Sequence, residues 1–152
     1  MKTLVLGLGN PILSDDSVGF RVIDQLKTRF DKPGLTLAES SASGLSLLEM
    51  ITSYDKLIIV DAIQTQNGQA GEIYRFTLDD FIDTRHLNSP HGLDLATAIE
   101  LGKKLGEPLP QQIVIFAIEV ADVTNFSESC TPEVKKAIPQ AVAMVVKELD
   151  SG

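Results

Sequence analysis

The chain has 152 residues, 43% of them hydrophobic and 22% charged, enough apolar material to bury the core of one domain over residues 1–152 and far from the composition of a disordered chain. Its 21 acidic and 13 basic residues give a net charge of -8, which repels a phosphate backbone and argues against nucleic acid as a partner. A single cysteine, Cys130, rules out an intrachain disulfide and a cysteine-based zinc site, and points to a reducing, cytoplasmic setting.

Thr3 to Leu8 forms the first apolar run and reads as a strand. The segment after Met1-Lys2 is too short for a signal peptide, and no stretch approaches the roughly 20 apolar residues that span a bilayer, so no membrane insertion is expected. Gly9-Asn10-Pro11 then turns the chain and leads to two adjacent acids, Asp15 and Asp16. Val18, Val22, Ile23 and Leu26 follow at helical spacing.

Gly34 to Glu39 reads as a second strand, Leu45 to Ile51 as a second helix, and Leu57 to Val60 as a continuously apolar central strand that ends at Asp61. This βαβαβ order predicts an α/β fold. Right-handed crossovers place helices on both faces of a mostly parallel sheet of about five strands, a three-layer sandwich. Glu72 to Phe76 alternates polar with apolar residues and is expected at a sheet edge, with its direction left open. Ser89-Pro90 offers a helix start ahead of a buried stripe of Leu93, Ala96, Ile99 and Leu101 that runs toward Lys103-Lys104. Gln112 to Val120 is a further strand. The last helix starts at Thr131-Pro132 and carries Val134, Ala137, Ile138, Ala141, Val142 and Val145 on one face.

Gly7-Leu8-Gly9 lacks the third glycine of a dinucleotide fingerprint, since Ile12 takes its place, and a tight strand-to-loop turn accounts for both glycines. Asp15 or Asp16 can cap the following helix, and the other is then free to face a cleft. Because the first and third strands run parallel, Asp16 and Asp61 emerge at the same carboxyl-end edge of the sheet; Asp61 is equally readable as a capping acid. His91, at a helix start, is expected to stay a neutral imidazole in the N-terminal helix field, while His86 lies in a polar stretch and is expected to be exposed. Two carboxylates and one imidazole suit a borderline divalent ion with open positions. Cys130 sits where a helix begins, which favours a lowered thiol pKa, but no partnered histidine marks it as a nucleophile.

Taken in order, Gly7-Leu8-Gly9-Asn10-Pro11, Asp15-Asp16 with Gly19, Ile59-Val60-Asp61-Ala62 and Ser89-Pro90-His91-Gly92 resemble the hydrogenase maturation endopeptidases. The likeness extends through Gly44-Leu45 to the closing Thr131-Pro132-Glu133-Val134 helix and so covers nearly the whole chain. It departs where some members have Glu, here Asp16, and where glycines are frequent, here Ser14 and Ser17.

The resemblance implies a peptidase that removes the C-terminal extension of a nickel-iron hydrogenase large-subunit precursor once the metal is loaded. It further implies that Asp16, Asp61 and His91 are the catalytic, metal-contacting residues, and that the nickel is supplied by the substrate with no permanent organic cofactor. A monomer is expected. Two alternatives belong to other classes. One is a peptidyl-tRNA hydrolase, whose Gly-Leu-Gly-Asn-Pro start is shared but whose continuation lacks the acidic pair. The other is a non-catalytic sensor of nickel occupancy.

Overall fold

The computed structural model describes residues 1–83 and 91–151. A five-stranded sheet has the order β2-β1-β3-β5-β4, built from β1 (Thr3–Leu8), β2 (Leu35–Ser40), β3 (Lys56–Ile63), β4 (Ile73–Thr77) and β5 (Gln112–Glu119). β1 pairs in parallel with β2 and β3, and β3 in parallel with β5. The edge strand β4 is antiparallel to β5, which fixes the direction that alternation alone left open. Helices α1 (Val18–Lys27), α2 (Gly44–Ile51), α3 (Leu78–Asp83), α4 (Gly92–Leu105) and α5 (Pro132–Asp150) connect or follow the strands.

Successive strand side chains point to opposite faces, and here each face has its own core. Val5, Ile58, Val60, Phe116 and Ile118 pack with Val22 and Leu26 of α1 and with Val134, Ala141 and Val145 of α5. Leu4, Leu6, Ile59, Ile63 and Ile115 pack instead with Leu47 and Ile51 of α2, Phe81 of α3 and Leu95 and Ile99 of α4. All eight residues of β3 are buried, as a central strand covered on both faces requires.

The apolar faces expected on α1 and α5 are the buried ones. Among the described side chains of α4, Leu95, Ala98 and Ile99 are buried, whereas Ala96 and Leu101 are only partly covered; Leu93 of the expected stripe lies outside the described side chains. The expected helix start at Ser89-Pro90, and His86, lie outside the described residues; α4 begins at Gly92 with His91 as its N-cap. The short helix α3 went unread because Leu78-Asp79-Asp80-Phe81 offers less than two turns of pattern. Among the described residues no helix is long and apolar enough to cross a membrane.

Strand order reverses direction between β1 and β3, and a crevice opens at their carboxyl ends at such a point.

Candidate functional site

The turn that carries the acidic pair is pressed against β1. A Cβ on Gly9 would run into the Asp16 carbonyl oxygen, so only glycine lets the turn sit there. The Asn10 N–H donates to that same carbonyl at 3.2 Å, and Asn10 Oδ1 accepts from the Ile12 N–H at 3.2 Å. Gly19 does the corresponding work one turn on, since a Cβ there would meet the Val60 carbonyl oxygen at 2.5 Å and the Leu8 carbonyl oxygen at 2.7 Å. The glycines thus serve close approach of chain to chain, as a tight turn demands.

Ser14–Ser17 forms a 3-10 turn whose two acids diverge. Asp15 is wholly buried. Its Oδ2 accepts from the Ala121 N–H (2.9 Å), the Asp122 N–H (3.0 Å) and the Thr131 hydroxyl (2.8 Å), and its Oδ1 accepts from the Thr131 N–H (2.6 Å). Neither acid is the N-cap of α1, which is Ser17 without a side-chain cap bond, so the capping expectation is corrected. The N–H groups that Asp15 satisfies lie instead in the loop after β5. Asp16 is 3% exposed; its Oδ2 stands 3.1 Å from His91 Nε2, and its Oδ1 is buried with no hydrogen-bond partner among the described residues.

Asp61 lies within β3 rather than at its end, because β5 continues to pair with β3 through Ala117 and Glu119. It is fully buried, shares its face with Ile59 and Ile63, and accepts its neighbour Ala62's N–H at 2.8 Å. Its charge reaches His91. The His91 side chain is 14% exposed, and burial disfavours the imidazolium. The hydrogen bond to Asp16 and the charges of Asp61, Asp16 and Asp94 outweigh that penalty, so the pKa is raised above its ordinary value. The expected direction of the shift is thereby corrected: the nearby carboxylates, not the helix field, set the sign.

The three residues picked out from sequence therefore meet at one edge, with Asp16 and His91 in direct contact and Asp61 coupled electrostatically. Carboxylate and imidazole donors fit a borderline divalent ion, and the partnerless Asp16 Oδ1 is a ready acceptor for one. Among the described residues, no three His, Cys, Asp or Glu side chains form a ready metal cage.

A further buried acid, Glu119, closes the edge beside β4. It accepts from the Thr65 N–H (2.8 Å) and hydroxyl (2.6 Å), and the Tyr74 hydroxyl lies 3.0 Å away. Burial and the neighbouring Glu72 and Glu119 push the Tyr74 pKa up to about 12. Sequence reading missed this cluster; a lone acid at a strand end carries no signal until its partners are known. The Cys130 thiol is corrected in direction. Burial foremost, with the charge of Asp15, raises its pKa despite a contact with Ser17 Oγ at 3.6 Å.

The family model described as hydrogenase maturation protease matches residues 20–148. The Hydrogenase 2 maturation protease of Escherichia coli (strain K12) is 28% identical over 152 residues, which covers 98% of this chain and 91% of that protein. The solved hydrogenase maturating endopeptidase HybD from E. coli superposes with a TM-score of 0.86 at 26% identity, covering 99% of this chain and 93% of that one. The [NiFe] hydrogenase maturation protease HybD from Thermococcus kodakarensis shares the fold at a TM-score of 0.78 and 22% identity, over 97% and 98% of the two chains.

Proposed function

The chain belongs to the hydrogenase maturation protease family and is a peptidase, and from that premise we propose that it trims the C-terminal extension of a nickel-iron hydrogenase large-subunit precursor. The precursor would bring its own nickel to Asp16, Asp61 and His91, so the ion is part of the substrate and not a resident cofactor. Docking is then strong only when nickel is present, and cleavage is licensed by the cargo.

One observation carries this reading: a buried carboxylate oxygen, Asp16 Oδ1, beside an imidazole and with no hydrogen-bond partner among the described residues. Leaving such an atom unsatisfied costs roughly 1–3 kcal/mol, which a ligand arriving from outside would recover. Asp61, fixed in β3, adds negative charge next to that pair and favours a cation over a neutral peptide group. Two donors in contact and a third nearby suit an ion that keeps other ligands from its own protein. The reading takes residues 1–152 as one three-layer domain, supported by the two cores, and takes the protein as a cytoplasmic monomer, the compartment supported by the single cysteine. Family membership decides against the peptidyl-tRNA hydrolase alternative.

Intact mass spectrometry of nickel-loaded and nickel-free precursor, mixed with wild-type protein or with Asp16→Asn, tests the proposal. Loss of a C-terminal peptide is expected only with nickel and the wild-type chain. Equal cleavage of both precursors would remove nickel from the reading. Nickel-dependent binding without cleavage would turn it into an occupancy sensor.

A further inference from the structure

We propose that Asp15 is a positioning residue for this peptidase, holding the turn that presents Asp16 to His91. The inference rests on the site assigned above, but its support is separate. The carboxylate is fully buried and accepts four hydrogen bonds from Ala121, Asp122 and Thr131, three from backbone N–H groups that can only donate and one from the Thr131 hydroxyl, which donates here. The same turn is tied by its backbone, with the Asp15 N–H donating to the Asp122 carbonyl and the Ser14 N–H to the Ser127 carbonyl, both at 2.9 Å. Ser14 has φ of 40°, a left-handed conformation that persists only where the surroundings impose it.

Thr131 gives the independent sign. It is the N-cap of α5, a position where a threonine hydroxyl ordinarily accepts from the first-turn N–H groups. Here it makes no side-chain cap bond and donates to Asp15 Oδ2 instead. The hydroxyl thus serves the carboxylate and not the helix. An acceptor-only group suits the place, because an amide in its stead would turn N–H groups toward N–H groups. Asp15 touches no reacting atom; it acts through the backbone it shares with Asp16.

The decisive comparison is Thr131→Val against Thr131→Ser, with Asp15→Asn beside them. Each is assayed for kcat and KM on nickel-loaded precursor, for melting temperature, and for the ring signals of 15N-labelled histidine. The chain has two histidines, and a His86→Gln variant assigns the signals. Thr131→Val is expected to lower kcat about tenfold with KM within about twofold, and to shift the His91 ring signals. Its melting temperature should fall by no more than about 10 °C, since one charge-assisted hydrogen bond is lost but no cap, and the assays are run well below the new transition. Thr131→Ser should restore both readouts.

Wild-type kcat and unshifted His91 signals in Thr131→Val would overturn the proposal, and so would failure of Thr131→Ser to restore them. If Asp15→Asn does not fold, the Thr131 pair decides alone. If wild-type protein cuts no precursor, the peptidase reading fails while the His91 signals still decide the role of Asp15.

Discussion

The two ends of strand β3 bury charge in opposite ways. At the amino end, the Lys56 side chain is 5% exposed and its Nζ lies 2.8 Å from Glu148 Oε2. Glu148 Oε1 also receives Arg75 Nε at 3.0 Å and Nη2 at 2.8 Å, so each charge there faces its opposite. At the carboxyl end, Asp15, Asp16, Asp61 and Glu119 are all buried, and the ion pair described there is His91 with Asp16. Balanced charge joins β3, β4 and α5; unbalanced charge collects at the carboxyl end, around the candidate site. A fold keeps an excess of buried carboxylates only at a cost, which is why such excess marks a site.

The largest test exchanges one group at each end. Asp16→Asn should lower nickel-dependent processing about a hundredfold or more, while stability holds or rises by up to about 1 kcal/mol, because one buried negative charge is removed beside Asp61. Lys56→Met should do the reverse. It leaves Glu148 with Arg75 alone and should cost about 2–4 kcal/mol in urea denaturation, with processing retained below the new transition. If Asp16→Asn destabilises the chain as much as Lys56→Met, the two ends are not different in kind.

A smaller effect follows from pH. Burial opposes the Glu148 carboxylate, but the hydrogen bonds and charges of Lys56 and Arg75 prevail and lower its pKa below the ordinary 4.5. A carboxyl with a depressed folded-state pKa contributes stability that is complete above 4.5 and is lost as pH falls through the lower folded value. The stability gap between wild type and Glu148→Gln should therefore be constant above pH 5 and shrink below about 4.5. A gap that widens on acidification would show that the amino-end network is not held by the Glu148 charge.

This contrast also explains what the sequence could disclose. Strands β1 and β3 and the faces of α1 and α5 were legible because burial imposes a period on Val22, Leu26, Val134 and Val145 that local reading detects. Asp16, Asp61 and His91 were legible as candidates because chain order brings β1 and β3 to one switch point. The division of labour inside Asp15-Asp16 was not. It depends on Ala121, Asp122 and Thr131, more than a hundred positions away, as the Lys56 and Glu148 pair depends on residues 92 apart. The His91 pKa was misjudged for the same reason: a local helix field could be read, and distant carboxylates could not.

The smallest expected effect concerns Cys130, whose thiol lies near Asp15 and offers a nucleophile of a different kind. Its thiol is half-buried, and burial with the nearby Asp15 charge raises its pKa, which keeps it protonated and a poor nucleophile at neutral pH. The sulfur packs 3.6 Å from Ser17 Oγ, a contact that a serine hydroxyl can replace with little change of volume. Cys130→Ser should leave processing within about twofold and stability within about 1 kcal/mol, and alkylation of the native thiol should be slow. Loss of processing in Cys130→Ser with an unchanged melting temperature would move the chemistry from the aspartates and histidine to the thiol, and the charge imbalance at the carboxyl end would then need another purpose.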